Sequence, residues 1–261
     1  MDIQTGYARI NGLKLYYEIR GSGKPLILLH GGLGSTASMT DVAAGLSGVR
    51  RVISVDLQGH GRTADIDRAF SYEAFADDIA ALASHLGITR ADIMGYSLGG
   101  GVALRTTIQH PELIEKIVII SFPFRRTGWY PEVLAAMDAL GPEAAERMKP
   151  SPIYQTYARN APQPQDWARL VSKQGDLLRK EYDWSGEVKA LGQPTLLVFA
   201  DADSVPPSHA AEFFGLLGGG QRDAGWDRSA MPKSRLAIVP GYTHYDIGWV
   251  AVGSAAMEFL A

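Results

Sequence analysis

The feature that most constrains the fold of this chain is a series of short, nearly unbroken apolar runs. Strands that are buried on both faces of a sheet have this composition, because neither face meets water. Helix-like segments separate most of the runs, and strands that alternate with helices form a mainly parallel sheet. The apolar runs cover residues 25–29, 52–55, 91–94, 117–120, 195–199 and 236–239, and the helix-like segments cover 36–46, 71–86, 98–109, 207–217 and 253–261.

The N-terminal part of the chain predicts an antiparallel hairpin. Two runs rich in apolar and aromatic residues, 7–10 and 13–20, are separated by Asn11 and Gly12. A two-residue hairpin turn needs positive φ at both central positions, which Asn and Gly adopt at low cost. With 261 residues and 46% apolar composition, the chain is long enough for one sizeable core. We therefore expect one α/β domain whose sheet begins with a hairpin.

The alternation of strands and helices fails between about residues 122 and 193. Helix-like, aromatic-rich sequence replaces any strand there, as in residues 131–137. We predict a helical insertion that covers one end of the sheet. A glycine-rich stretch near residues 215–234 predicts a long surface excursion before the last strand.

Composition argues against several classes of function. The net charge is −3 and no run of five like charges occurs, so nucleic acid and anionic membranes are not expected as partners. The first residues lack a basic segment followed by an apolar one, and no run approaches the ~18 apolar residues of a membrane span, which predicts a cytoplasmic protein. Cysteine is absent, which rules out disulfides, thiolate nucleophiles and sulfur-ligated metals. Any nucleophile must be an oxygen or a nitrogen.

Residues 95–99, Gly-Tyr-Ser-Leu-Gly, match the pattern Gly-x-Ser-x-Gly. The spacing alone is weak evidence, because chance gives roughly 0.2 such matches in a chain of this composition. The context is more specific, since a predicted strand precedes the pentapeptide directly and a helix-like segment follows it. A serine at such a turn lies in strained backbone, where flanking side chains must be small. We predict that Ser97 is a nucleophile, and the alternative is a glycine-rich turn with an idle serine.

A serine hydroxyl needs a base, and the base needs a third group that fixes its tautomer and orientation. Around a nucleophile elbow, the acid and then the histidine follow the serine, each after a later strand. His244 lies five residues after the apolar run that ends at Val239, and we predict that it is the base. The other five histidines are in the wrong order or too close to the acid: His30, His60, His85, His110 and His209.

Two aspartates compete for the role of the acid. Asp203 lies four residues after the strand candidate that ends at Phe199, and Asp201 stands two residues before it. Either carboxylate could reach a histidine on a loop. We favour Asp203, because Asp201 is closer to the strand end and is more simply explained as a residue that caps the loop.

Hydrolysis of an ester also needs hydrogen-bond donors for the oxyanion of the tetrahedral intermediate. The backbone N–H of Leu98, directly after the nucleophile, is one candidate. The sequence His-Gly-Gly-Leu-Gly at residues 30–34 follows a predicted strand and supplies a second, the N–H of Gly32. The alternative is a flexible turn. A phosphate-binding loop is not expected, because neither Gly-Lys-Ser/Thr nor Gly-x-Gly-x-x-Gly is present.

Five motifs together resemble the α/β-hydrolase superfamily over essentially the whole chain. Ser97 argues against the dehalogenases and epoxide hydrolases of this superfamily, which carry Asp at the elbow. Two departures from the usual pattern are small: Ala200 stands where Gly is usual, and Thr63 where Ser is usual. The motifs are His30-Gly31-Gly32, residues 56–63 (Asp-Leu-Gln-Gly-His-Gly-Arg-Thr), the elbow at 95–99, residues 194–203 and residues 240–244.

The resemblance implies an α/β-hydrolase fold with a mostly parallel, eight-stranded sheet flanked by helices. It also implies a helical cap inserted after the sixth strand, here residues 122–190, between core segments 1–121 and 191–261. Members of the family place the acid three residues after a small residue at the strand end, which favours Asp203 counted from Ala200.

The expected function is hydrolysis of a small, partly hydrophobic carboxylic ester by Ser97, His244 and Asp203 through an acyl-enzyme, with no metal or organic cofactor. Trp129 and Tyr130 are candidate substrate-binding residues of the cap, and the alternative for each is the cap's own core. Other open functions are a lactonase, a carbon–carbon bond hydrolase with the same triad, and a ligand-binding receptor with this fold and little turnover. A homo-oligomer is compatible with the sequence but cannot be read from it.

Overall fold

One sheet of eight strands organises the chain, which a computed structural model describes over residues 3–247 and 249–261, with only the backbone described for residues 249–252. The strands lie in the order β1-β2-β4-β3-β5-β6-β7-β8, and only the pairs β1–β2 and β2–β4 are antiparallel among those described. The predicted eight-stranded, mostly parallel sheet is therefore confirmed. The strands are Gln4–Ile10 (β1), Leu13–Arg20 (β2), Pro25–Leu29 (β3), Arg51–Val55 (β4), Ala91–Tyr96 (β5), Ile114–Ile120 (β6), Thr195–Ala202 (β7) and Arg235–Thr243 (β8).

Ten α-helices accompany the sheet in the described part of the chain. Five follow the strand and helix alternation: Thr40–Leu46 (α1), Tyr72–His85 (α2), Leu98–Gln109 (α3), Pro207–Leu216 (α9) and Trp249–Leu260 (α10). Five lie in sequence between β6 and β7: Pro131–Asp138 (α4), Pro142–Met148 (α5), Pro152–Asn160 (α6), Trp167–Leu178 (α7) and Ser185–Ala190 (α8).

The apolar runs are unbroken because both faces of the sheet are buried. In β3, Ile27 and Leu29 belong to one core cluster, which includes residues of α2 and α3. Leu26 and Leu28 point the other way, into a second cluster that includes residues of α1 and α10. Successive side chains of a strand alternate between faces, so a strand covered on both sides needs apolar residues at every position.

The helices between β6 and β7 are tied to the rest of the chain through α7. Nζ of Lys173 and Nε of Arg169 each lie 2.7 Å from Oδ2 of Asp65, a buried carboxylate in the segment after β4. Oδ1 of Asp65 accepts a hydrogen bond of 2.7 Å from Gln58. The helical content of this segment agrees with the expected insertion, while its division from the core at residues 122 and 190 stays a prediction.

Two further features concern the surface. Residues 218–234, all of which the structure describes, contain neither helix nor strand, as the glycine-rich composition predicts. Among the described residues, no helix is both long enough and apolar enough to span a membrane.

Candidate active site

Ser97 lies at a sharp turn between the end of β5 and the start of α3. Its φ of 51° and ψ of −119° are costly for a residue with a side chain. The chain accommodates the turn because Gly95 and Gly99, two residues before and after Ser97, have no side chain. A Cβ atom on Gly95 would lie 2.0 Å from the carbonyl oxygen of Gly99, and one on Gly99 would lie 2.5 Å from that of His30. Backbone packing therefore requires both glycines of the pentapeptide.

His244 directly follows β8 and contacts Ser97. Its Nε2 is 3.0 Å from Oγ of Ser97, and its Nδ1 is 2.9 Å from Oδ1 of Asp203. Because an ionised carboxylate only accepts hydrogen bonds, Nδ1 carries the proton and Nε2 is the acceptor that faces the serine hydroxyl. The three predicted residues thus form one hydrogen-bonded row at the carboxyl ends of β5, β7 and β8.

Both carboxylate oxygens of Asp203 accept hydrogen bonds, and its side chain is fully buried. Oδ2 accepts hydrogen bonds from the Ser121 hydroxyl at 2.5 Å and from the Ala200 backbone N–H at 3.1 Å, while Oδ1 accepts from His244. Burial alone raises the pKa of a carboxyl, but these bonds outweigh it and hold the pKa of Asp203 below its usual value. The carboxylate is therefore ionised at neutral pH.

Asp201, the competing acid, lies elsewhere. It is exposed, and its Oδ1 accepts a hydrogen bond of 2.9 Å from the backbone N–H of Gly241. Both strands extend beyond their apolar runs, because residues after 199 and 239 still pair, as Ala202 does with Thr243. Asp203 and His244 consequently follow their strand ends immediately rather than four and five residues later.

Two polar residues of the site carry no recognisable motif. Ser121 immediately follows β6, is fully buried, and has a φ of 53°. Tyr96 occupies a variable position of the pentapeptide, and its hydroxyl donates to the backbone carbonyl of His244. Burial raises the pKa of the Tyr96 hydroxyl well above its usual value, so it stays a donor. The position directly after a parallel strand is the signal that could have identified Ser121.

The loop after β3 reaches the same edge of the sheet. His30 fixes the loop, because its Nδ1 donates to the carbonyl of Gly31 at 2.7 Å and its Nε2 accepts from the N–H of Leu57 at 3.2 Å. A Cβ on Gly31 would lie 3.5 Å from Cβ of Ser97, so the loop runs beside Ser97. Leu98 is the first residue of α3, where a backbone N–H has no partner within the helix. Gly32 and Leu98 both line the cavity at Ser97.

A cavity of about 570 Å³ opens onto Ser97 and His244. Trp129 lines it and meets the ring of His244 edge-on, with ring centroids 5.6 Å apart. Tyr130 is not among the residues that line this cavity: it directly precedes α4, and its backbone N–H bonds to the carbonyl of Ser204. Its role in substrate binding stays a prediction. The apolar side chains that the segment between β6 and β7 contributes are Phe122, Trp129, Val133, Ala136, Met137, Leu140, Met148, Ile153 and Leu178.

The strand order, the crossover connections and the turn at Ser97 define the α/β-hydrolase fold. A family model described as alpha/beta hydrolase fold matches residues 24–139, which include the first two glycines after His30 and the elbow. The chain therefore has the α/β-hydrolase fold, and its residues 24–139 are similar to the family of that name.

Solved structures with this fold align with nearly the whole chain. E-2-(acetamidomethylene)succinate hydrolase has a TM-score of 0.78 and 21% identity, covering 99% of both chains. Carboxylesterase CesB of Bacillus subtilis has a TM-score of 0.76 and 22% identity, covering 100% of this chain and 92% of that one. At these identities the likeness concerns the fold alone.

Sequence relatives match a smaller part of the chain. A soluble epoxide hydrolase of Corynebacterium sp. strain C12 is 34% identical over 119 residues, which are 46% of this chain and 42% of that protein. The chain covers less than half the length of the curated relatives that it matches.

Proposed function

We propose that the protein is a serine hydrolase that cleaves a small, neutral carboxylic ester through an acyl-enzyme. The observation that carries this proposal is the row formed by Ser97, His244 and Asp203, with the serine on a strained turn. In the first step His244 Nε2 takes the proton of the Ser97 hydroxyl while Oγ attacks the ester carbonyl carbon. The resulting imidazolium is stabilised by the Asp203 carboxylate on Nδ1.

The second half of the cycle uses the same residues. His244 returns the proton to the leaving alkoxide, which departs as the alcohol and leaves the acyl group on Ser97. His244 then takes a proton from water, the hydroxide attacks the acyl carbonyl, and the acid is released as Oγ regains its proton. In both halves the carbonyl oxygen becomes an oxyanion, for which the N–H groups of Gly32 and Leu98 are our proposed donors, each worth about 3 kcal/mol.

The cavity supports a neutral substrate. None of the described residues that line it is Asp, Glu, Lys or Arg. A charged ligand would lose its hydration there without meeting a counter-charge, at a cost of several kcal/mol. The name of the structural neighbour E-2-(acetamidomethylene)succinate hydrolase describes a dicarboxylate, and we expect that class of ligand to be excluded here.

The apolar wall of the cavity supports a cap role for residues 122–190. Val133, Met137, Met148 and Ile153 come from α4, α5 and α6 and line the cavity above the strand ends. Within this proposal, Trp129 is a substrate-contacting residue beside His244, while α7 holds the cap to the segment after β4 through Asp65.

The test of this function is labelling with a fluorophosphonate, followed by peptide mapping and a turnover screen. We expect modification at Ser97, none in the Ser97→Ala variant, and faster hydrolysis of p-nitrophenyl butyrate than of the p-nitrophenyl hemisuccinate anion. A folded wild-type protein that stays unmodified would overturn the active serine. Labelling combined with turnover only of lactones or of vinylogous diketones would replace the ester assignment, and labelling without any turnover would favour a receptor.

A further inference from the structure

Gln174 is the single polar side chain that α4 to α7 contribute to the described lining of the cavity. It lies on α7 and is 2% exposed. A Cβ built on Gly32 would lie between 3.2 and 3.5 Å from the three terminal atoms of its amide. The amide therefore packs directly over the loop that we propose to bind the oxyanion.

Part of the hydrogen-bonding capacity of this amide is unused. Oε1 of Gln174 and Nε2 of His60 are both buried, and neither has a hydrogen-bond partner among the described residues. Nδ1 of His60 must donate to the carbonyl of Gln58, 2.9 Å away. Burial lowers the pKa of His60 to about 3, so the ring is neutral and its Nε2 is an acceptor.

His60 fixes which way the amide points. The Gln174 amide is near enough to influence the pKa of His60, and only an N–H group can satisfy the acceptor Nε2. The oxygen and nitrogen of an amide exchange places by a half-turn, and the hydrogen-bond network decides between the two. With the NH₂ group on His60, Oε1 is left as an acceptor for a group inside the cavity.

The position of Gln174 relative to Ser97 and His244 determines which part of a bound ester Gln174 can contact. Ser97 follows β5, the loop with Gly32 follows β3 on one side of it, and His244 follows β8 on the other side. The leaving alcohol must lie next to His244, because His244 protonates it. A group that reaches Gln174, beside Gly32, therefore belongs to the acyl part and lies within a few bonds of the carbonyl carbon.

We propose that Gln174 is a specificity-determining residue whose Oε1 accepts a hydrogen bond from a hydroxyl on the acyl chain, so that hydroxyacyl esters are preferred. This inference rests on the proposed function. A ligand without a donor leaves a buried acceptor unpaired, which costs enough to lower affinity by about tenfold. The apolar cavity walls would hold the remainder of the acyl chain.

The test measures binding, so that it does not depend on turnover. In a Ser97→Ala background, calorimetry compares phenyl butyrate with the phenyl esters of 2- and 3-hydroxybutyrate, as separate enantiomers, and with their methoxy analogues. We expect one hydroxy ester to bind about tenfold tighter than phenyl butyrate. The methoxy analogue should lose this advantage, because it cannot donate.

Variants of α7 assign the effect to the amide. Gln174→Met should abolish the preference, and Gln174→Glu, which keeps an acceptor, should retain it. Leu178→Met is the control, because Leu178 lies on the same helix and lines the same cavity. It should leave the ratio of the affinities for the hydroxy ester and for phenyl butyrate unchanged. Equal affinity of the unmutated cavity for all the esters would overturn the inference, as would a preference that survives Gln174→Met. The ratio of affinities measured with Gln174 in place decides the question even if a variant of Gln174 does not fold. A failure of the proposed serine mechanism would be detected separately, by the fluorophosphonate labelling.

Discussion

The hydroxyl of Ser121 donates a hydrogen bond of 2.5 Å to Oδ2 of Asp203, whose other oxygen accepts from His244. The serine comes from the end of β6, the aspartate from the end of β7 and the histidine from the end of β8. Three neighbouring strands of one parallel sheet thus fix the orientation of Asp203, and through it that of His244. A carboxylate with fewer bonds could rotate and release Nδ1 of His244.

Replacing Ser121 should lower kcat more than it changes KM, because Ser121 does not line the cavity. We expect Ser121→Ala to reduce kcat by about tenfold, the equivalent of one hydrogen bond to a charged group. Ser121→Gly is the matched control, because glycine tolerates the φ of 53° without strain. Steady-state kinetics on both variants should give the same loss of kcat, and full activity of Ser121→Gly would contradict the positioning role.

The two aspartates near the end of β7 should differ strongly. Asp203→Asn keeps the size of the side chain but supplies the wrong partner for His244, and we expect kcat to fall by several orders of magnitude. Asp201→Asn keeps an oxygen that can accept from the N–H of Gly241, so we expect less than a few-fold change. Parallel kcat measurements on the two variants test this, and equal losses would count against Asp203 as the acid.

The sequence predicted the sheet, and the structure brings its three candidate residues Ser97, His244 and Asp203 within hydrogen-bonding distance. Both can be inferred from the sequence because each depends on local patterns. Burial on both faces makes the central strands recognisable as unbroken apolar runs, and the strained turn between strand and helix requires glycine two residues before and two residues after Ser97. The roles of Ser121, Tyr96 and Gln174 depend on contacts between residues that are far apart in the chain, such as Tyr96 and His244, and no local pattern records them. The direction of the Tyr130 side chain could not be predicted, because it depends on where α4 begins, and α4 starts at the next residue.

Replacement by alanine should change the free energy of unfolding in opposite directions at Gly99 and at Gly45. At Gly99 a Cβ would meet the backbone of Leu29 and His30 at 2.5 to 2.8 Å, and backbone atoms cannot move aside cheaply. We expect Gly99→Ala to lower the free energy of unfolding by several kcal/mol or to prevent folding. Gly45→Ala, at an exposed position in α1 with nothing within 4 Å, should raise it by about 0.5–1 kcal/mol. Chemical denaturation measures both, and a stable Gly99→Ala protein would mean that the elbow is less tightly packed.

Buried histidines should destabilise the fold as the pH falls. Burial lowers the pKa of His30 and of His209 to about 4, and that of His60 to about 3, from a usual value of 6.5. Between these values the unfolded chain binds protons that the folded chain does not, so stability is lost as the pH drops from about 6.5 towards 4. Asp56 opposes this, because burial raises its pKa to about 6 and the folded state then holds the extra proton.

His209 is the histidine on which to test this effect, because it does not line the cavity at Ser97 and its ring stacks on Phe124 with ring centroids 4.4 Å apart. We expect His209→Gln to reduce the slope of unfolding free energy against pH by up to about 1.4 kcal/mol per pH unit between pH 6 and 4.5. His85→Gln, at an exposed position, is the control and should leave the slope unchanged. Urea denaturation at several pH values gives the slopes, and identical slopes for wild type and His209→Gln would contradict the buried neutral state.

Tyr96→Phe should show how much the position of His244 matters, because it changes a contact of the His244 backbone and leaves the imidazole unchanged. The Tyr96 hydroxyl donates to the backbone carbonyl of His244, while its ring packs against Gly31, where a Cβ would lie 2.8 Å away. Phenylalanine keeps the ring and removes only the bond, so we expect the loop that carries His244 to sample more positions. The rate of fluorophosphonate labelling of Ser97 should fall by about three- to tenfold, in line with one neutral hydrogen bond.

Tyr157→Phe is the matched control for this change, because its hydroxyl also donates to a backbone carbonyl, that of Gln163, and it does not line the cavity. Both variants should lose about 1 kcal/mol of stability, but only Tyr96→Phe should slow labelling. An unchanged labelling rate in Tyr96→Phe would mean that Asp203 alone orients the imidazole. Equal slowing in both variants would trace the effect to general loosening of the fold, because no bond links Tyr157 to the loop of His244 in the described structure.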